Sequence, residues 1–124
     1  MEREDQVLAR AQVQALAVEG PALLRGCDLE AADLAGLDLS GWRFERCNLK
    51  AAKLTQAVLE GAVFHGCRGG FASFAAARLA DAVMQSCDFN NASFAEAVLT
   101  GARFEGCKLT GADMAKAGTM GLVL

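Results

Sequence analysis

The sequence predicts an all-β solenoid, in which the chain winds in square coils around a narrow apolar core. The first observation behind this prediction is a period of five. A Leu, Phe or Met occupies every fifth position from Leu24 to Met114, and Gly69 is the single exception. A small residue, nearly always Ala or Cys, stands two positions before each of these central residues. A period of five fits neither the 3.6-residue turn of a helix nor the two-residue alternation of a strand, so it indicates a corner in every unit.

The second observation is the spacing of the cysteines. Twenty residues separate each cysteine from the next, and the series is Cys27, Cys47, Cys67, Cys87 and Cys107. Four five-residue units therefore close one coil, and the cysteines stack along one wall. Coils of a β-solenoid lie about 4.8 Å apart, so about five of them form a rod about 24 Å long.

The units ADLAG (32–36), CNLKA (47–51), AKLTQ (52–56), CDFNN (87–91) and ADMAK (112–116) follow the pattern A(D/N)LXX. In this pattern the chain resembles the pentapeptide-repeat family over about residues 22 to 116. The resemblance implies a right-handed quadrilateral β-helix. We expect a capping helix and linker over residues 1–21, the β-helix over 22–117 and an apolar end segment over 118–124.

A solenoid needs a cap at each end, because its terminal coils expose unpaired strand edges. Residues 4–18 contain good helix formers without Gly or Pro, and Gly20 and Pro21 follow. We therefore expect an N-terminal helix with acidic residues at its start, and large residues beneath it. Its predicted apolar face is Leu8, Ala11, Ala15 and Leu16, and the predicted plug of the first coil is Leu37 and Trp42.

The C-terminal segment GTMGLVL (118–124) has no charged side chain and no polar cap after it. We expect this end to pair with a second copy of the chain, since exposed sheet edges are usually covered. The resemblance points the same way, because family members that dimerise commonly use the C-terminal end. The predicted contact residues are Met120, Leu122, Val123 and Leu124; the alternative is a frayed tail.

Composition argues against several functional classes. The net charge of −3 offers no basic patch for nucleic acid or an anionic membrane. No signal peptide or membrane span is visible, so we expect a cytoplasmic protein with cysteines as free thiols. One His, no Tyr and no nucleophile–base pair predict no catalytic site. The cysteines stand in single file away from His65, so we expect buried packing residues and neither metal nor cofactor.

The outer walls are therefore the candidate working surface. Two adjacent walls carry four valines flanked by three arginines, which we call the Val–Arg surface: Val58, Val63, Val83, Val98, Arg43, Arg78 and Arg103. Exposed valines rimmed by arginine are typical of a partner surface, although β-branched residues also simply suit strands. The other two walls alternate in charge, which we interpret as ion pairing and solvation.

Gly69 leaves one wall without its large inward residue. An empty hole of that size would be costly, so we expect Phe71 to rotate inward through a local bulge at Gly69 and Gly70. The alternatives are that neighbouring side chains lean into the space, or that Phe71 points outward as an anchor for a partner.

These observations predict a non-enzymatic protein–protein interaction module. The resemblance implies an alternative, because some pentapeptide-repeat proteins mimic DNA, bind type II topoisomerases such as gyrase, and protect them from quinolones or toxins. The nearly balanced charge of the repeats argues against this alternative. A passive spacer or small assembly unit is a third possibility.

Overall fold

One parallel sheet runs along the whole rod and forms the wall that we call the strand wall. In the computed structural model, which describes residues 1–124, its six strands pair in chain order. They are β1 (Glu2–Glu4), β2 (Leu23–Arg25), β3 (Arg43–Glu45), β4 (Val63–His65), β5 (Val83–Gln85) and β6 (Arg103–Glu105). From β2 onward each residue pairs with the residue twenty positions later. The chain is thus a parallel β-solenoid of about five turns, as the sequence predicts.

The other three walls are joined by single parallel bridges between successive coils. The cysteine wall carries the file Asp28, Asn48, Arg68, Asp88 and Lys108. The third wall carries Asp33, Lys53, Ser73, Ser93 and Asp113, and the fourth wall carries Asp38, Val58, Arg78, Val98 and Gly118. The coil register therefore remains constant from one end of the repeat to the other.

Tight turns form most corners of the square. In one of them Ala52 N–H donates to the Leu49 carbonyl at 3.0 Å, and Ala51 between them has φ 55°. That left-handed conformation is easiest for Gly, which explains why Gly is frequent two positions after the central residue.

The Asp or Asn before the central residue also serves the turn. Asp28 Oδ1 accepts the Glu30 N–H at 3.0 Å, and Asp88 Oδ1 accepts the Asn90 N–H at 2.9 Å. These bonds replace a backbone partner within the turn, which is what short polar side chains do at such positions. The polar residue of the repeat motif is thus a local structural element.

The core is a stack of identical layers. Phe44 and Phe64 stack with ring centroids 4.6 Å apart, and Phe74 and Phe94 stack at 4.9 Å. These separations match the spacing between coils, so each ring rests on the ring of the coil below. Every fully buried side chain of this core is apolar.

The N-terminal cap is shorter than the sequence predicts. The helix α1 spans Arg10–Val18, whereas residues 2–4 form β1 and pair with β2. The acidic residues therefore lie mainly on the strand, not on the first turn of the helix. Propensity favoured a helix there, but the open edge of β2 offers backbone partners that a helix would leave unused. Gly20, with φ 106°, follows the end of the helix as predicted.

The buried face of the cap also differs from the prediction. Leu8, Val13 and Leu16 are buried, whereas Ala11 and Ala15 are exposed. Arg10 holds the start of the helix on the first coil, because its guanidinium donates to the Ala35 carbonyl at 3.0 Å and the Asp33 carbonyl at 3.1 Å. Leu37 and Trp42 are buried in the first coils as predicted.

The opposite end of the rod has no cap. Interior residues of the last coil, which are Cys107, Leu109, Met114, Ala117 and Leu122, are only partly buried. Met120 is 82% exposed and Leu124 is 76% exposed. The segment 118–124 still follows the coil, since Gly118 bridges Val98 and Val123 bridges Arg103. The structure thus ends in an uncovered apolar layer.

Candidate functional site

The prediction that Phe71 fills the space at Gly69 is wrong. Phe89, directly above Gly69 in the next coil, fills the space instead. A Cβ built on Gly69 would meet Phe89 Cδ1 at 2.5 Å. The Phe89 ring also makes edge contacts with Phe64 and Phe74, which flank Gly69 in the coil below, at centroid distances of 6.3 and 5.5 Å. A neighbour leaning inward removes the cavity without any change of backbone.

The predicted bulge at Gly69 and Gly70 is also absent. Gly69 N–H donates to the Asp88 carbonyl at 2.7 Å, and the ordinary turn bond joins Ala72 N–H to the Gly69 carbonyl. Phe71 occupies the left-handed position of this turn, with φ 59°, and its side chain is 72% exposed. An exposed aromatic residue in a conformation that bulky side chains avoid stands as a candidate contact point.

The structure brings the Val–Arg surface together on two adjacent walls. On the fourth wall Arg78 stands between Val58 and Val98, and on the strand wall Val63 pairs with Val83. Val98 is 41% exposed, and the other three valines are half-buried. The surface therefore exposes its apolar groups only in part.

Each arginine of the Val–Arg surface forms an ion pair with a glutamate of the same chain. Arg103 lies 3.2 Å from Glu105, and the other pairs are Arg43–Glu45 at 3.6 Å and Arg78–Glu60 at 3.7 Å. Hydrogen bonding from Arg25 holds the pKa of Glu45 below its usual value, and hydrogen bonding from Gln85 does the same for the pKa of Glu105. These carboxylates are charged at neutral pH, so the arginines are locally neutralised.

Phe71 and the Val–Arg surface cannot contact the same small partner site. Phe71 lies at the corner between the cysteine wall and the third wall. The valines lie around the corner between the fourth wall and the strand wall, which is diagonally opposite in a square coil. The structure thus separates two features that the sequence grouped as one candidate surface.

The expected ion pairs along the two alternating files do not form. No salt bridge joins Arg68 to Asp88, Asp88 to Lys108 or Lys53 to a neighbour in its file. The carboxylates of these files instead accept turn N–H groups, as Asp113 does from Ala115 at 2.9 Å. Charge alternation on these walls therefore reflects turn formation together with solvation.

The surface shows no enclosed pocket and only shallow grooves. One groove lies between the helix and the first coil, and another lies at a corner of the cysteine wall. Nowhere do three metal-ligating side chains converge as a metal site would need. The helical part of the chain is too short and too polar to cross a bilayer. Broad outer walls remain the candidate functional surface.

The cysteines form the predicted ladder, and all five are free thiols. Cys67 Sγ donates to the Phe44 carbonyl at 3.1 Å, and the others make similar bonds across the coils. The prediction that all are interior fails for Cys107, which is half-buried. Because no coil covers the last one, its partial exposure could have been predicted from its place in the series.

Sequence comparison identifies the repeat directly. A profile of the pentapeptide repeat region matches residues 38–114, and a second profile, of pentapeptide repeats in eight copies, matches residues 22–50. The chain is a pentapeptide-repeat protein. No curated protein is similar enough in sequence to count as a relative.

Solved pentapeptide-repeat structures share the fold. The protein alr5209 from Nostoc PCC 7120 has a TM-score of 0.80 and 19% identity, over 90% of this chain and 99% of its own. A trypsin-treated QnrB1, a plasmid-mediated fluoroquinolone resistance protein, has a TM-score of 0.63 and 18% identity, over 98% and 70%. HetL from Nostoc sp. strain PCC 7120, involved in heterocyst differentiation regulation, has a TM-score of 0.57 and 22% identity, over 98% and 67%. At these identities the likeness concerns the fold alone.

Proposed function

We propose that this pentapeptide-repeat protein is a non-enzymatic interaction module that presents the Val–Arg surface to a protein partner. The observation that carries the proposal is the continuity of the valines across two walls and three coils, with Arg78 between Val58 and Val98. A partly exposed apolar area rimmed by arginine is typical of protein interfaces. The buried free thiols fit the reducing cytoplasm in which we propose that it works.

The arginine pairs are suited to exchange. The side chains of Arg43, Arg78 and Arg103 are 54%, 63% and 54% exposed. Ion pairs at such exposure contribute only about 0–1 kcal/mol each, so a partner carboxylate can replace the internal glutamate at little cost. Arg is enriched at interfaces because its planar head binds carboxylates through two bonds.

Replacing the four valines of the Val–Arg surface by Thr should abolish partner capture from a cell lysate. Thr has the shape of Val and suits strands, so the change removes apolar contact while retaining the fold. With an identified partner, the dissociation constant should rise at least about tenfold by calorimetry.

The matched control places four Thr substitutions on the third wall, at Lys53, Ser73, Ser93 and Asp113. Circular dichroism should show the same spectrum for both variants. If the Val→Thr variant captures the same proteins as the unchanged chain, the Val–Arg surface is not the working surface.

Protection of a type II topoisomerase is the second candidate function. It is supported by the fold shared with QnrB1, whose description is a fluoroquinolone resistance protein. Gyrase among the captured proteins, together with a higher quinolone concentration for half-inhibition of purified gyrase, would favour this candidate. The nearly balanced charge of the repeats favours the first proposal over DNA mimicry.

We also propose a homodimer through the C-terminal end. The uncovered layer there includes Leu109, Met114 and Leu122, whereas the N-terminal end is closed by α1 and by the charged edge strand β1. Two copies that pair through their open ends bury both layers at once. A head-to-tail fibre would instead place charged Glu2 and Glu4 against an apolar layer.

Leu122→Glu should convert the dimer into a monomer by placing a charge in the apolar contact. We expect the dissociation constant, measured by analytical ultracentrifugation, to rise at least about tenfold. Val18→Glu is the matched control, since Val18 is 85% exposed on the helix at the other end. A chain that sediments as a 13.0 kDa monomer at all concentrations would contradict the dimer.

A further inference from the structure

We propose that Cys87 and Cys107 are a site of reversible oxidation, at which hydrogen peroxide converts two neighbouring thiols into one disulfide within the chain. The pair lies in successive coils at the open end of the cysteine ladder. It is distinguished from the rest of the ladder by position, access and freedom to move.

The backbone places the two cysteines one above the other. Lys108 N–H donates to the Cys87 carbonyl at 3.0 Å, and Ser86 N–H donates to the Glu105 carbonyl at 2.8 Å. These bonds lie on either side of the pair and hold it in register. Successive coils put the two Cα atoms about 4.8 Å apart, which is within the range that disulfides span.

Access separates this pair from the other cysteines. Cys27, Cys47 and Cys67 are at most 1% exposed, and each lies between two layers of backbone. Cys107 alone is half-buried, because no coil lies over it. The last coil therefore admits a small oxidant, and it can shift by the fraction of an ångström that sulfur–sulfur bonding needs.

The surroundings favour a reactive thiol. The groove at the corner of the cysteine wall is lined by Cys87, with Arg68 and Lys108 beside it. Gly66 and Gly106 line the same groove, and their lack of side chains leaves it open. Nearby cationic groups stabilise a thiolate, which is the form that reacts. As a hydrogen-bond donor, the Cys107 thiol also lowers the pKa of the Cys87 thiol and raises its own pKa.

The chemistry balances with peroxide as the only oxidant. The thiolate of Cys107 attacks one peroxide oxygen, the O–O bond breaks, and Cys107 becomes a sulfenic acid while hydroxide leaves. Cys87 then attacks the sulfenic sulfur, forms the S–S bond and displaces a second hydroxide. The two protons from the thiols convert the two hydroxides into water. Two thiols are oxidised and one peroxide is reduced, and cellular thiols can reverse the step.

Tryptic mapping of the peroxide-treated chain tests the proposal, because each of the five cysteines falls in a different tryptic peptide. After remaining thiols are blocked under denaturing conditions, peptide 79–103 should appear joined to peptide 104–108. Before oxidation, Cys107 should react with N-ethylmaleimide at least about tenfold faster than the other four cysteines. Equal reactivity of all five would overturn the proposal.

Two variants make the test specific. Cys87→Ala should remove the cross-link and leave Cys107 as a sulfenic acid that dimedone traps; Ala already fills the small inward position on other walls, as at Ala52 and Ala92. Cys27→Ala is the control at the other end of the ladder and should leave the product unchanged. A link between two 104–108 peptides, a link among other cysteines, or conversion of Cys107 to sulfinic acid without any link would overturn the proposal.

Discussion

Phe89→Ala should be the most damaging single substitution in the core, destabilising the chain by about 3–5 kcal/mol. The ring is completely buried and occupies two layers, its own and the one that Gly69 leaves empty. Its loss therefore removes edge contacts with Phe74 at 5.5 Å and Phe94 at 5.7 Å, and it opens a cavity in both coils. Because total stability of a small domain is about 5–15 kcal/mol, much of it would be lost.

Urea unfolding followed by circular dichroism measures the effect. Leu109→Ala is the matched control, since Leu109 has the same repeat position one coil later but is only half-buried at the open end. We expect the control to lose roughly half as much stability or less, because less apolar surface leaves water there on folding. Equal losses for the two variants would show that Phe89 does not fill a second layer.

Gly69→Leu should also destabilise the chain, although it restores the regular motif. A Cβ at this position would meet the Phe89 ring at 2.5 Å, so the larger side chain cannot enter without displacing the ring. Overpacking of this kind costs about 1–3 kcal/mol. A stabilisation on Gly69→Leu, which the repeat pattern alone favours, would show that the ring can withdraw at no cost.

A double-mutant cycle separates overpacking from any other effect. Phe89→Leu makes the upper layer resemble the Leu49 and Leu109 layers of the same wall, so Gly69→Leu should be tolerated in that background. We expect the double variant to be more stable than the sum of the single effects by about 1–2 kcal/mol, which is typical of residues in direct contact. An additive result would contradict the filling role of Phe89.

Much of the fold follows from the sequence because its determinants are local and repeated. The square coil requires one large and one small inward residue per unit and a turn after each, and these appear in almost every unit. Each repeated error or success is multiplied by the number of coils, so the register is specified many times over. The uncovered apolar end was predictable for the same reason, because GTMGLVL continues the coil without a polar cover.

The candidate site was only partly predictable. The Val–Arg surface could be placed on two adjacent walls, since wall identity follows from position modulo twenty. The pairing of Arg78 with Glu60 could not be inferred from the repeat alone, because long exposed side chains choose among several neighbours at nearly equal free energy. Nor could the sequence indicate that Phe71 lies diagonally opposite the valines until the corners were assigned.

By itself the sequence determined the solenoid, its four walls, its cysteine ladder and its open end, since each depends on a period that any one unit repeats. Only the tertiary structure decided that Phe89 fills the place of Gly69, that Phe71 faces solvent, and that residues 2–4 form a strand. These outcomes depend on which groups of the adjoining coil can fill a space or bond a free edge. That choice is made by packing between coils, which no single repeat unit contains.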